Sequence, residues 1–341
     1  QMVSDVPVGT QFSGGIDSSL CAYEFMQESK RANNKNFKPL GIGIDVKEPK
    51  LSERKWMEMA AKVMDINISV TNLDEDYVAD VFSDVIYYLD QIPAMTSEEG
   101  IFLLSAIARE NVTVLLSGEG ADELFAGYTR MVRALDTDSP GREYIKEKLL
   151  YSADSVNREK MIRICPDYPE YEEQILKPRA DLIDRLFEMN LSYVDMFRAY
   201  DIIVRLPVLL VRQDKMTMAH SIENRVPFLD NEMIKFALSL PGEYMIREGE
   251  GKAMIKEVAS EIFGDEFVYR PKLGFSVPVQ KYIKKMKNID KAKSFLNEKS
   301  LINGRAFDEF HPEVTKKDGF ADETLLFWRA ISLAEFYKRL R

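Results

Sequence analysis

Two short strings hold residues able to manage a charged ligand. The first is Phe12-Ser13-Gly14-Gly15-Ile16-Asp17-Ser18-Ser19, between an apolar run (Val8 to Phe12) and a helical pattern from about Asp17 to Met26. Gly14 and Gly15 let a backbone approach an anion closely. The hydroxyls of Ser13, Ser18 and Ser19 can donate to phosphate oxygens. A helix beginning there aims free N–H groups and its positive dipole end at the same spot. Asp17 cannot bind phosphate itself, and a Mg²⁺ ion bridging carboxylate and phosphate gives it a reason to be there. The second string is Ser117-Gly118-Glu119-Gly120-Ala121-Asp122-Glu123-Leu124-Phe125-Ala126-Gly127-Tyr128, after the apolar run Val112 to Leu116. Taken alone, each string also reads as a capped turn, because Asp and Glu are ordinary at helix starts. The complete first string, paired with the second at another strand-to-helix junction, tells against that reading.

The elements that must position these loops follow from periodicity. Leu40 to Val46 and Ile66 to Val70 add two strand patterns to Val8–Phe12 and Val112–Leu116. Helical patterns lie between them: one opens at Ser52 as N-cap, with Trp56, Met59, Ala60, Val63 and Met64 at helical spacing, and two more cover 74–89 and 98–110. Strands alternating with helices predict a doubly wound parallel α/β sheet covered on both faces. Loops at the carboxyl ends of such strands share one crevice, so Asp17 and Asp122 are expected to share Mg²⁺ there. Strand signals fade after about Met131. The expected organisation is an α/β nucleotide-binding core over 1–135, an irregular charged insertion over 136–180, and a mainly helical portion over 181–341, with helices near 180–198, 230–240, 252–263 and 323–339.

Composition narrows the classes. The 341 residues carry a net charge of −10, which argues against a nucleic-acid binder. No apolar run approaches the roughly 20 residues that span a bilayer. Cys21 and Cys165 are far apart and form no CxxC pair, so Cys21 reads as a small core residue and the compartment as reducing, hence cytoplasmic.

The strings resemble known ones. SGGxDS differs from the GxxxxGK[ST] P-loop and resembles the pyrophosphate loop of ATP pyrophosphatases. SDVPVG leading to it, the LSGEGADELFAGY string, Arg205-Leu206-Pro207, the Arg212 to Met216 and Met218 to Asp230 segments and Arg270-Pro271-Lys272-Leu273-Gly274-Phe275 together resemble the synthetase half of glutamine-hydrolysing asparagine synthetases. That resemblance implies a fold of the adenine nucleotide alpha-hydrolase type and an enzyme that adenylates a carboxylate with ATP and Mg²⁺, aspartate by default. Pyrophosphate then leaves, and ammonia or an amine attacks to give an amide and AMP.

The resemblance also implies roles. Ser13, Gly14, Gly15, Asp17, Ser18 and Ser19 would hold the phosphates, Asp17 and Asp122 the Mg²⁺, and Ser117 and Gly118 the adenosine. Lys272 would stabilise charge at the α-phosphate, and Glu119 would manage the proton of the attacking amine. His220 is expected in a structural hydrogen bond, Arg225 paired with Asp230, and Met216, Met218 and Ile222 in the core. The family's glutaminase half, with its N-terminal Cys, has no counterpart here, so ammonia would come from a glutaminase domain absent from this chain; a homodimer is left open. Gln91 to Gly100 and the 136–180 stretch match the family poorly. The acceptor could therefore be another acid, as in relatives that close β-lactam rings, cyclise peptides or amidate sugar acids of surface polysaccharides. The reading outside catalysis is a decayed nucleotide-binding partner, against which Asp17, Asp122, Glu119 and Lys272 are all present.

Overall fold

The computed structural model describes residues 1–32, 36–93, 95–135, 141–151, 158–271, 279–286, 289–299, 301–305 and 322–339. The strands β1 (Val8–Gln11), β2 (Phe37–Val46), β3 (Asn67–Leu73), β4 (Val114–Leu116) and β5 (Glu223–Arg225) form one sheet in the order β3-β2-β1-β4-β5. All its neighbours are parallel. The chain winds outward from β1 through β2 to β3, then returns to the other side of β1 with β4. The winding therefore reverses between β1 and β4, where an open α/β sheet leaves a crevice for ligands.

Side chains alternate across the sheet as a period of two requires. Val114 and Leu116 of β4 join Val8 in one apolar cluster, while Leu115 joins Ile42, Ile44 and Val46 in another. The first cluster is closed by α1 (Ile16–Ala32) and α2 (Arg54–Met64), with Cys21 buried among Phe25, Met26 and Met57. The second is closed by α3 (Glu75–Leu89) and α4 (Glu98–Ala108). Asp74 caps α3 by accepting from the Tyr77 N–H at 2.9 Å. Ser52 stands one position before the N-cap, Glu53: its hydroxyl donates to the buried Asp45 at 2.8 Å and accepts from the Arg54 N–H at 3.4 Å, while Asp45 takes the Glu53 N–H at 3.0 Å.

After β4 come α5 (Ala121–Leu124), α6 (Thr129–Leu135), α7 (Arg142–Leu150), α8 (Arg158–Ile164), α9 (Tyr168–Glu188) and α10 (Tyr193–Tyr200). The charged stretch 136–180, expected to be irregular, is thus helical across much of its described length. Its apolar residues Ile145 and Leu149, one helical turn apart on α7, bury in a third cluster with Leu124, Phe125, Met131 and Ile183 of α9. Pro178 stands inside α9. A π-helical turn, Asp201–Arg205, leads into α11 (Leu206–Met218). Met216 and Ile222 are buried as expected, but Met218 is exposed on the outer face of α11. Strand β5 was not legible: it is three residues of polar composition whose conformation comes from pairing with β4.

The remainder holds α12 (Asn231–Ser239), the small hairpin β6 (Ile246–Arg247) and β7 (Glu250–Gly251), α13 (Ala253–Phe263), α14 (Asp265–Val268), α15 (Val279–Lys285), α16 (Ile289–Glu298) and α17 (Asp322–Arg339). Helices α13 and α14 return to the sheet face of α1 and α2, while α15, α16 and α17 cover the opposite one. Among the described residues no helix is long and apolar enough to cross a membrane.

Candidate active site

The two loops meet at the switch point. A Cβ built on Gly118 would stand 2.8 Å from the backbone carbon of Asp17 and 2.8 Å from the nitrogen of Ser18. Only a residue without a side chain allows the β4 loop to lie this close to the start of α1. Within the first loop Ser13 and Ser18 share a hydroxyl–hydroxyl bond of 2.9 Å, and the Ser13 N–H donates to Ser18 Oγ at 3.2 Å. This holds the loop open around the N-terminus of α1.

A cavity of about 250 Å³ lies over this junction. Ser13, Gly15, Asp17, Ser18, Ser117, Gly118, Glu119 and Asp122 all line it, beside Ile44, Val46 and Leu51 on an apolar side. Gly14 and Ser19 do not line it. Gly14 packs on Met57, and its carbonyl accepts from Arg270 at 2.7 Å. Ser19 is fully buried. Lys272 lies outside the described residues.

Asp17 and Asp122 converge on one cation. Lys252 Nζ lies 2.6 Å from Asp17 Oδ2 and 2.6 Å from Asp122 Oδ1. Burial alone would favour the neutral amine, but the two carboxylates outweigh it and hold the ammonium pKa above its ordinary value. Gly127 makes room for this triad, since a side chain there would overlap Asp122 and Lys252. Asp17 Oδ1 is buried without a hydrogen-bond partner, an orphaned acceptor that a cation would satisfy. The pair therefore fits Mg²⁺. Among the described residues no group of three or more metal-binding side chains exists, so the remaining ligands would come from phosphate and water.

The other end of the cavity is acidic and tightly tethered. Arg212 on α11 donates to Glu119 at 2.9 Å and to Ser97 at 2.8 Å. Burial raises the Glu119 pKa; Arg212 opposes it, and the nearby Asp122 and Asp17 charges add to it. Tyr128 donates to the buried Glu123 at 2.5 Å. Burial lifts the Glu123 carboxyl to about 7 against the pull of that hydrogen bond. Ser117 donates to Asn224 of β5 at 3.1 Å, so β5 fixes the second loop. Arg270 pairs with Glu53 at 2.6 Å and stacks over Trp56, which ties the segment just before Lys272 to the first loop.

Sequence reasoning missed Lys252, Arg212, Glu123 and Tyr128 as site residues. Glu123 and Tyr128 stood inside the quoted string and were given no role. Arg212 likewise stood in a quoted segment without a role, whereas Lys252 stands alone at the start of α13 and only the tertiary fold brings it to the loops. Two structural expectations also change. His220 packs its ring 4.2 Å from Phe102 with Nε2 buried and unpartnered, and burial lowers its pKa. Arg225 pairs with Glu223 at 2.7 Å and binds the Val3 carbonyl at 2.8 Å, while Asp230 caps α12. The segment from Gln1 to Val3 competes for Arg225 where Asp230 was expected.

A doubly wound sheet with an SGG loop at its switch point and two carboxylates converging over it defines a domain of the ATP-pyrophosphatase type. The sequence profile of the asparagine synthase family matches residues 1–337. The chain is similar to asparagine synthetase [glutamine-hydrolyzing] 1 of Bacillus subtilis (strain 168), 30% identical over 320 residues, covering 84% of this chain and 49% of that protein. It is 28% identical over 321 residues to a putative asparagine synthetase [glutamine-hydrolyzing] of Mycobacterium tuberculosis (strain ATCC 25618 / H37Rv), covering 83% and 47%. With the asparagine synthetase [glutamine-hydrolyzing] of Homo sapiens it shares 27% identity over 284 residues, covering 81% and 40%. The chain belongs to the asparagine synthase family. It spans about half the length, or less, of these curated relatives.

Proposed function

We propose that this chain forms an amide at the expense of ATP, by adenylating a carboxylic acid and presenting the acyl-adenylate to ammonia or an amine. Aspartate is the default acid and asparagine the default product. The nitrogen is ammonia released from glutamine, in keeping with the names of the relatives, and the setting is the cytoplasm.

The observation that carries this reading is the meeting of two remote loops: Gly118 against Asp17 and Ser18, with Asp17 and Asp122 on one ammonium. Ser13 and Ser18, which line the cavity, and the N-terminus of α1 would donate to the β- and γ-phosphates. Mg²⁺ bound at Asp17 and Asp122 would neutralise phosphate charge and polarise the α-phosphoryl group. Lys252, held between these two carboxylates, would supply a fixed positive charge toward the leaving pyrophosphate. The apolar side formed by Ile44, Val46 and Leu51 suits a purine ring. The acceptor carboxylate attacks the α-phosphorus, and Lys272 accompanies the charge that develops there. An ammonium cannot attack, so Glu119, oriented by Arg212, takes the proton that the nitrogen sheds.

Exchange of labelled pyrophosphate into ATP, screened over candidate acids, tests the proposal. Exchange that requires both Mg²⁺ and one particular acid is expected. ATP binding without exchange in the presence of any acid would remove the catalytic reading.

A further inference from the structure

One polar side chain interrupts the apolar run that ends β1, and the chemistry above gives it no part. Side chains of β1 alternate: Val8 and Phe12 bury against α1 and α2, so Gln11 faces the other side of the sheet. Ile44 and Val46 of β2 bury on that same side, and Gln11 pairs in register with Ile42 of that strand. Gln11, Ile44, Val46 and Ser117 all line the cavity. With β1 between β2 and β4 in the sheet, Gln11 stands between the apolar side formed by Ile44 and Val46 and the second loop with Ser117.

Its amide is held by a second amide. Gln213 of α11 is 1% exposed, and its Nε2 donates to Gln11 Oε1 at 2.8 Å. Gln213 Oε1 is buried without a partner. Turned round, Gln213 would instead bury two N–H donors without an acceptor, and orphaned donors are the costlier choice. Gln11 therefore has its oxygen engaged and its Nε2 left to donate, with no hydrogen-bond partner for that nitrogen among the described residues. Gln11 is half-buried, and an amide beside apolar side chains is costly unless a partner satisfies it.

We propose that Gln11 reads the nucleobase of the bound nucleotide: its Nε2 donates a hydrogen bond to an unprotonated ring nitrogen of the purine, and Gln213 is the positioning residue that keeps the amide in this sense. This rests on the adenylating reading above, in which the purine lies against Ile44, Val46 and Leu51. Two features favour the base over the phosphates. The amide is neutral, and it faces away from α1, whose N-terminus serves the phosphates. Adenine offers acceptor nitrogens at N1, N3 and N7. An apolar wall gives a purine affinity with little preference among bases, and a fixed donor supplies the preference.

Calorimetric binding of ATP and of 1-deaza-, 3-deaza- and 7-deaza-ATP to the chain with Mg²⁺, and with no acceptor acid, tests this. Wild type is expected to bind at least one of the three analogues about three- to tenfold more weakly than ATP, the worth of one neutral hydrogen bond. Gln11→Met should close that gap, and Gln213→Met should narrow it. Equal binding of all four nucleotides by wild type, or a gap that survives Gln11→Met in full, overturns the proposal. A full gap in Gln213→Met overturns the part given to Gln213. Purine riboside triphosphate, which lacks the 6-amino group, is the second arm. Any deficit it shows should be the same in wild type and Gln11→Met; a deficit that Gln11→Met erases would make Gln11 an acceptor and overturn the donor assignment. Pyrophosphate binding should be unchanged in Gln11→Met, and its loss with the gap retained would hand Gln11 to the phosphates. Thermal melting checks that the variants fold; if Gln11→Met does not, Gln11→Glu, which keeps the length but offers the base no donor, decides in the same sense. Failure here is separable from failure of the reaction: acid-dependent pyrophosphate exchange with no gap among the nucleotides discards the base contact alone.

Discussion

Glu119 and Lys252 show what separates a readable residue from an unreadable one. Glu119 stands in a contiguous string whose neighbours announce a ligand loop. Lys252 is the N-cap of α13, far along the chain, in a left-handed backbone conformation at φ 59°, and only tertiary structure sets it on Asp17 and Asp122. The two loops, and the two carboxylates that meet between them, were therefore legible, while the lysine that joins those carboxylates was not. At this scale the account predicts a split in the chemistry of Glu119→Gln. Adenylation does not need the base, so acid-dependent pyrophosphate exchange should persist. Amide formation should fall by about 10²–10⁴-fold, the usual worth of a general base. Loss of both steps together would place Glu119 in nucleotide binding instead.

Helix α4 carries an unusual burden at its start. Glu99 is buried, and neither carboxylate oxygen has a hydrogen-bond partner. Burial, then the adjacent Glu98 charge, pushes its pKa from 4.5 to about 8. The folded chain thus keeps a proton that the unfolded chain releases near pH 4.5. That contribution to stability is complete below pH 4.5 and is lost as pH rises through 8. Glu99→Gln does not titrate, so it should be more stable than wild type above pH 8, by on the order of 4 kcal/mol. The gap should close below pH 4.5; urea unfolding at several pH values measures it, and parallel curves would contradict the assignment. Arg270 makes a second prediction. It joins Glu53, the Gly14 carbonyl and the Trp56 ring. Arg270→Ala should cost about 1–3 kcal/mol in chemical denaturation, because the partly buried Glu53 and the Gly14 carbonyl would both lose their donor. Elements with a strong apolar rhythm were legible, as β2 and α3 were. Strand β5 and the π-helical turn were not, since one takes its form from a neighbouring strand and the other from the missing N–H of Pro207.

In the molecule as a whole, the strand order makes the site. Reversal of the winding between β1 and β4 brings loops from distant parts of the chain to one edge. β5 and α11 then supply Asn224 and Arg212 to the second loop. The alternation of strands and helices made this architecture readable before any coordinates. The helical character of 136–180 was hidden by its charge and prolines, which suggest loops although Ile145 and Leu149 build a buried face. The most direct test of the central claim follows one oxygen atom. An acid labelled with ¹⁸O in its carboxylate, aspartate first, is turned over with ATP, Mg²⁺ and ammonia. Attack on the α-phosphorus predicts one labelled oxygen in the AMP for each amide formed. Amide formation with unlabelled AMP, or with ADP and labelled phosphate, would contradict it.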